Sequence, residues 1–164
     1  MCPVDIEVDE PFAVDETQLR KAIKTVLRQH ESDPRTGVAV RVTDNVTVQQ
    51  LNRDFRGVDG PTDVLSFPAE LPPMPDAAEL ADDAFYLGDL AIAYPYAAAQ
   101  AQRLSHDLTH SFGLLVVHGT LHLLGYDHDT PENKAVMWAA QANALTALGI
   151  PLVIVPALEE SDHE

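Results

Sequence analysis

The sequence predicts an α+β fold: a single domain over residues 1–156, in which a small mixed β-sheet is packed by about five helices. An acidic tail, 157–164, is expected to be disordered. Three observations lead there. Strand-like and helix-like periods alternate through the first half, and the second half reads as helices alone. The length of 164 residues suits one substantial core, with no repeat or linker to divide it. Finally, Leu114, Leu115, Val116, Val117, Leu121, Leu123 and Leu124 make one segment apolar nearly all round, the pattern of a central buried helix.

Val4, Ile6 and Val8 alternate with acids and give a first strand with one wet face. Asp15, with Gln18 three residues on, resembles a capping box that opens a helix with Leu19, Ile23, Val26 and Leu27 on one side. Val38, Val40 and Val42 form the next strand. Thr43, Asp44 or Asn45 can cap a helix with Val48, Leu51 and Phe55 inward and Gly57 beyond its end. Pro61-Thr62-Asp63 turns the chain into a short strand, Val64 to Phe67, and Asp63 is expected to order that turn.

Residues 69–84 carry Pro72, Pro73, Pro75 and five acids without a period, and read as a mobile loop. Tyr86 to Ala93 reads as a strand in which Gly88-Asp89 marks a bulge or a close backbone approach. Asp89 there is either an ordinary turn acid or a hydrogen-bond partner for a ligand histidine. Pro95 suits the first turn of a helix to about Leu104, and Ser105 is expected to cap the next one. Thr130-Pro131-Glu132 starts the last helix, with Val136, Met137, Ala140 and Leu145 inward and Gly149 after its end.

The chemistry concentrates in His118 to His128, H-G-T-L-H-L-L-G-Y-D-H. His118 and His122 are four apart and share a helix face. Gly125 permits the helix to end, and the chain can then return His128 to the same point. Three neutral imidazoles so placed would hold a zinc ion with one coordination position open. With seven His and eight Gly in the chain, chance produces this spacing at roughly 6 × 10⁻⁴. His106 and His110 are also four apart, but no third ligand follows them, and both are expected to be exposed. The spacing is that of metzincin metalloproteases, except that Gly119 stands where those enzymes carry the glutamate base.

The same stretch, V-H-G-T-L-H-L-L-G-Y-D-H, resembles the hallmark of the YbeY endoribonucleases, bacterial rRNA maturation factors. Two further segments resemble that family in the same order: L-N-R-D-F-R with P-T-D-V-L-S-F-P, and L-G-D-L-A-I. The resemblance implies one Zn²⁺ per chain on His118, His122 and His128. It implies cleavage of single-stranded RNA, late small-subunit (16S) 3′-end maturation and ribosome quality control. Its partners would be ribosomal RNA and the small ribosomal subunit or its assembly proteins. By the family pattern N-x-x-[aromatic]-R, Arg56 corresponds to an arginine associated with catalysis; read from its position alone, it is equally a cation complementing a helix C-terminus. Asp127, beside the third histidine, is the nearest acid for orienting His128 or for moving a proton. The family often carries acids where this chain has Trp138 and Gln141.

Composition sets bounds on these readings. The net charge of −16 argues against a simple nucleic-acid binder, and DNA is not an expected partner. The acids, however, concentrate in residues 1–16, 69–94 and 157–164, which contain no Lys or Arg, and leave the region of the histidines closer to neutral. One cysteine, Cys2, rules out an internal disulfide, and no signal peptide or membrane span is visible, so a cytoplasmic protein is expected. Two rival functions stay open: a metal-dependent hydrolase of a peptide or small ester, and a non-catalytic ribosome-assembly factor with structural zinc.

Overall fold

The computed structural model describes residues 3–69 and 85–160; residues 70–84 of the loop expected at 69–84, Cys2 and residues 161–164 lie outside the described residues. Strands β1 (Val4–Val8), β2 (Gly37–Thr43), β3 (Val64–Pro68) and β4 (Tyr86–Ala93) form one sheet in the order β1-β2-β4-β3. β1–β2 and β2–β4 pair parallel and β3–β4 antiparallel, so the sheet is mixed with β3 at one edge. The α-helices are α1 (Glu16–Gln29), α2 (Asn45–Arg56), α3 (Tyr94–Leu104), α4 (Leu108–Leu123) and α5 (Pro131–Leu148), followed by a 3-10 helix, Leu152–Glu160. The α+β class and its single sheet agree with the sequence reading.

The two faces of the sheet serve different helices. Val38, Val40, Val42, Val64, Leu90 and Ile92 join the large core built with α1, α4 and α5. Leu65, Phe67, Ala91 and Ala93 point the other way, to Val48 and Leu51 of α2. This is the period-2 alternation of strands covered on both faces. At the centre of the larger core lies α4, buried from Phe112 to Leu121 without a break. An all-round apolar helix needs neighbours on every side, and α4 packs against α1, α3, α5, β3 and β4.

Glycine lets α4 approach the sheet. The β2–β4 register shifts between Gly37 and Val38, which pair with Tyr86 and Gly88 and leave Leu87 of β4 as the extra residue of a bulge. Gly88 follows with φ of 153°; a Cβ there would collide with the Phe67 carbonyl oxygen and sit 2.7 Å from Leu123 Cδ2. Gly88-Asp89 is thus both bulge and close approach, as its sequence suggests.

Four expectations need correction. Ser105 does not cap α4: it ends α3 in the left-handed conformation (φ 60°), and the cap is Asp107, whose carboxylate accepts from the His110 amide at 3.0 Å. Val136 is 60 % exposed, because α5 turns only its Met137, Gln141, Ala144 and Leu145 side inward. Phe55 is also largely exposed, resting edge-on against Phe67 instead of filling the core. The tail does not begin at residue 157: the 3-10 helix runs to Glu160, and Ala157 and Leu158 are buried. Gln100 Nε2 donates to the Ala157 carbonyl at 3.1 Å, and Lys134 pairs with Glu159. Apolar residues in an acidic stretch had found a core to enter.

Candidate metal centre

His118 and His122 leave α4 one turn apart, and their rings meet edge to face with centroids 4.6 Å apart. α4 then ends in a Schellman motif. The Gly125 amide donates to the His122 carbonyl and the Tyr126 amide to the Leu121 carbonyl, both at 3.0 Å, with Gly125 at φ of 104°. This reversal brings His128 back, its ring centroid 5.4 Å from His118 and 5.1 Å from His122. One nitrogen from each of the three histidines lies within 4.8 Å of the others.

Hydrogen bonds fix which nitrogen each ring offers. Nδ1 of His122 lies 2.9 Å from the Tyr126 carbonyl oxygen, which can only accept, so Nδ1 carries the proton. Nδ1 of His118 lies 2.9 Å from Gln141 Oε1, also an acceptor. A neutral ring with its proton on Nδ1 carries its lone pair on Nε2, and the two Nε2 atoms face each other at 3.1 Å. Two lone pairs at that separation repel until a cation lies between them. Tetrahedral zinc, about 2.0–2.1 Å from each nitrogen, would hold such a pair about 3.3 Å apart. The donor set therefore fits a divalent ion of the zinc type; imidazole also suits nickel and copper.

An aromatic ring lines one side of the site. Trp138 of α5 meets His118 and His128 edge to face, with centroids 5.8 and 5.7 Å away. Tyr126 serves twice. Its carbonyl holds His122, while its hydroxyl donates to His30 Nε2 at 3.0 Å, and His30 Nδ1 in turn donates to the Val26 carbonyl at 2.8 Å. The C-terminal end of α1 is thereby tied to the turn that carries the third histidine.

Gly119 has a different role from the one its place in the motif suggests. A Cβ there would lie 2.7 Å from Leu90 Cδ2, 3.3 Å from Leu90 Cδ1 and 3.3 Å from Ser66 Oγ. Residue 119 thus faces the sheet, and Ser66 Oγ donates to its carbonyl at 3.3 Å. No open space stands beside the metal position on its account.

The other candidates are placed less directly. Asp127 is exposed, and its Oδ1 accepts from the His128 amide at 2.7 Å, so it orders the backbone of the turn and not the imidazole ring. Asp129 is also exposed; its carboxyl is held below the usual range, mainly by the Asn133 amide and least by His128. Arg56 sits in the last turn of α2, on the face of the sheet opposite α4, across edge strand β3. Its Nη1 donates to Asn52 Oδ1 at 3.0 Å, and buried Asn52 passes a further bond from Nδ2 to the Gly60 carbonyl at 3.0 Å. Asp89 is buried on β4, and Asp63 orders its turn by accepting from the Val64 amide at 2.8 Å. His106 and His110 are half-buried and not exposed; neither belongs to the triad.

Gln141, Tyr126 and His30 emerge only from the fold. Gln141 left two traces in the sequence: it stands where the resembled family often carries an acid, and it is a polar residue on the inward stripe between Met137 and Leu145.

Comparison with known proteins bears on this site. A family model described as endoribonuclease YbeY matches residues 5–149. Proteins named endoribonuclease YbeY are similar to this chain in Chloroflexus aggregans (40 % identity, covering 90 % of this chain and 97 % of the relative) and in a Roseiflexus species (41 %, covering 90 % and 93 %). One from Enterococcus faecalis is 46 % identical, covering 70 % of this chain and 76 % of its own. The solution structure of TM1509 from Thermotoga maritima has the same fold, with a TM-score of 0.59, 24 % identity and 97 % of both chains covered.

Proposed function

This chain belongs to the endoribonuclease YbeY family, and from that membership and the geometry of the triad we propose that it is a zinc-dependent endoribonuclease. Its substrate in this reading is single-stranded ribosomal RNA, cut during late maturation of the small-subunit RNA 3′ end. The small ribosomal subunit or its assembly proteins would be its partners, and the cytoplasm its place of action. The observation that carries the reading is the pair of bare Nε2 atoms of His118 and His122, 3.1 Å apart, with His128 beside them.

His118, His122 and His128 would be the ligands of one Zn²⁺. When bound, zinc on neutral ligands supplies Lewis acidity toward a phosphate oxygen and acidifies water at neutral pH. The chain's own residues do the rest. Gln141 and the Tyr126 carbonyl keep the two helix histidines in the ligating tautomer. Asp127 holds the backbone that aims His128, and is an exposed acid beside it for moving a proton. Arg56 would meet a phosphate oxygen of an RNA strand lying over edge strand β3, with its planar fork anchored at Asn52.

The acidic surface does not argue against RNA, because helix α1 carries Arg20, Lys21, Lys24 and Arg28 and α2 carries Arg53 and Arg56. The test is to incubate zinc-loaded protein with single-stranded and duplex rRNA fragments and with casein, alongside His122→Ala. Cleavage confined to single-stranded RNA and lost in the variant supports the reading. Peptide hydrolysis without RNA cleavage overturns it in favour of the other hydrolase. Metal binding without cleavage of either substrate, even with small subunits added, leaves the assembly factor.

A further inference from the structure

The residue that sets the state of His118 comes from neither the histidine motif nor its helix. Gln141 lies on α5, 23 positions further on, and is 0 % exposed. Its Oε1 takes the His118 Nδ1 proton at 2.9 Å, while its own Nε2 is buried with no hydrogen-bond partner among the described residues. An amide that leaves one end unsatisfied in a core is destabilising, and an apolar side chain would avoid the loss. Its neighbours on that stripe, Met137, Ala144 and Leu145, are all apolar. What an apolar residue lacks is the acceptor.

We propose that Gln141 is a positioning residue for metal binding: as a neutral acceptor it locks His118 into the Nδ1–H tautomer and turns Nε2 toward the ion. This inference rests on the metal reading of the triad. The neutrality matters as much as the contact. The Tyr126 carbonyl on His122 is likewise uncharged, so neither of these two acceptors offsets the ion's double charge. A carboxylate in place of Gln141 would make His118 a more basic ligand and offset part of that charge. These two acceptors therefore favour an acidic metal centre over the tightest possible one. Trp138 fixes the other side of the same ring, leaving His118 little freedom to turn away.

The test uses the full chain, stripped of metal and then titrated with zinc against a chromophoric chelator. The histidine tautomers of the metal-free protein are read from two-dimensional ¹H–¹⁵N spectra. Metal-free wild type should show His118 with the proton on Nδ1. Gln141→Met, which keeps the volume and removes the acceptor, should show both tautomers and bind zinc about 10- to 100-fold more weakly. Gln141→Glu restores the acceptor and should return the Nδ1–H tautomer with affinity at or above wild type. A wild-type His118 protonated on Nε2 overturns the proposal whether or not either variant folds. So does Gln141→Met with unchanged tautomer and affinity, or Gln141→Glu as weak as Gln141→Met. Failure of wild type itself to bind zinc would strike the triad reading instead, a result distinct from all of these.

Discussion

Replacing Gly119 by alanine tests how the metal helix is seated. Two effects oppose each other. Alanine is favoured over glycine in a helix interior by about 1 kcal/mol. The new methyl, however, would lie 2.7 Å from Leu90 Cδ2 and 3.3 Å from Ser66 Oγ. Leu90 is 0 % exposed on β4, between partners Val40 and Ser66, so it cannot swing aside into solvent. Overpacking of this kind costs about 1–3 kcal/mol. Crowding should win, with a net loss of about 1 kcal/mol and a fall in Tm of about 2–4 °C for a chain of this length. Denaturant unfolding of wild type, Gly119→Ala, Leu90→Val and the double variant would measure it. The double variant should recover part of the loss, because valine withdraws the clashing methyl. A Gly119→Ala protein more stable than wild type, with no coupling to Leu90, would refute the packing argument.

Three further outcomes follow from named contacts. His122→Ala should lose bound zinc by elemental analysis and RNA cleavage with it, and wild-type occupancy should fall in acid as the ligand imidazoles gain protons. Arg56→Ala should keep fold and zinc but lose RNA cleavage by about 10- to 100-fold, with Arg56→Lys recovering only part, since a point charge does not replace a fork; full activity in the alanine variant would remove Arg56 from the reaction. Asp9 has its carboxyl lowered, first by the Thr43 hydroxyl at 2.6 Å and then by Arg41, against a smaller opposing effect of burial than the hydroxyl's. A depressed folded value contributes stability above the ordinary 3.8 and loses it as pH falls through the lower one. Asp9→Asn should therefore lie about 1 kcal/mol below wild type at neutral pH, with the gap closing in thermal melts below about pH 4.

The histidine triad was legible because every part of it obeys local rules. Spacing by four places two rings on one helix face, and a glycine three residues later ends the helix. The strands were legible through alternation, down to the Gly88 bulge. What stayed hidden was set by distant chain. Gln141 reaches His118 only because α5 packs on α4. His30 reaches Tyr126 across 96 positions. The cap of α4 was misplaced by two residues, because Ser105 and Asp107 are both good caps and only the left-handed turn at Ser105 decides between them. Leu158 was hidden by its acidic neighbours, yet with Ile154 and Ala157 it buries its side chain and docks the terminal turn.

The comparison with metalloprotease spacing takes on a different meaning once α4 is seen in place. By sequence, Gly119 is the absence of a base. By structure, it lets the helix lie this close to β3 and β4 without crowding Leu90 and Ser66. Restoring a glutamate there would not supply proton transfer to the metal position, because the side chain would be driven into Leu90 and Ser66. It would instead unseat the helix that carries two of the three histidines. Peptide cleavage by this site would demand protonation of a poor leaving amine, and α4 offers no carboxylate for it between Leu108 and Leu123. Phosphodiester cleavage asks less. In the proposed reaction its charge would be met by a cation and an arginine, and the RNA 2′-hydroxyl could itself attack phosphorus, displacing the 5′-oxygen. Proton transfer then falls to groups on the exposed turn after α4, where Asp127 stands. Asp127→Asn would keep the acceptor for the His128 amide and remove only the proton-handling charge. If Asp127 moves a proton, that variant should keep zinc affinity and lose RNA cleavage at neutral pH; retention of both would confine Asp127 to shaping the turn.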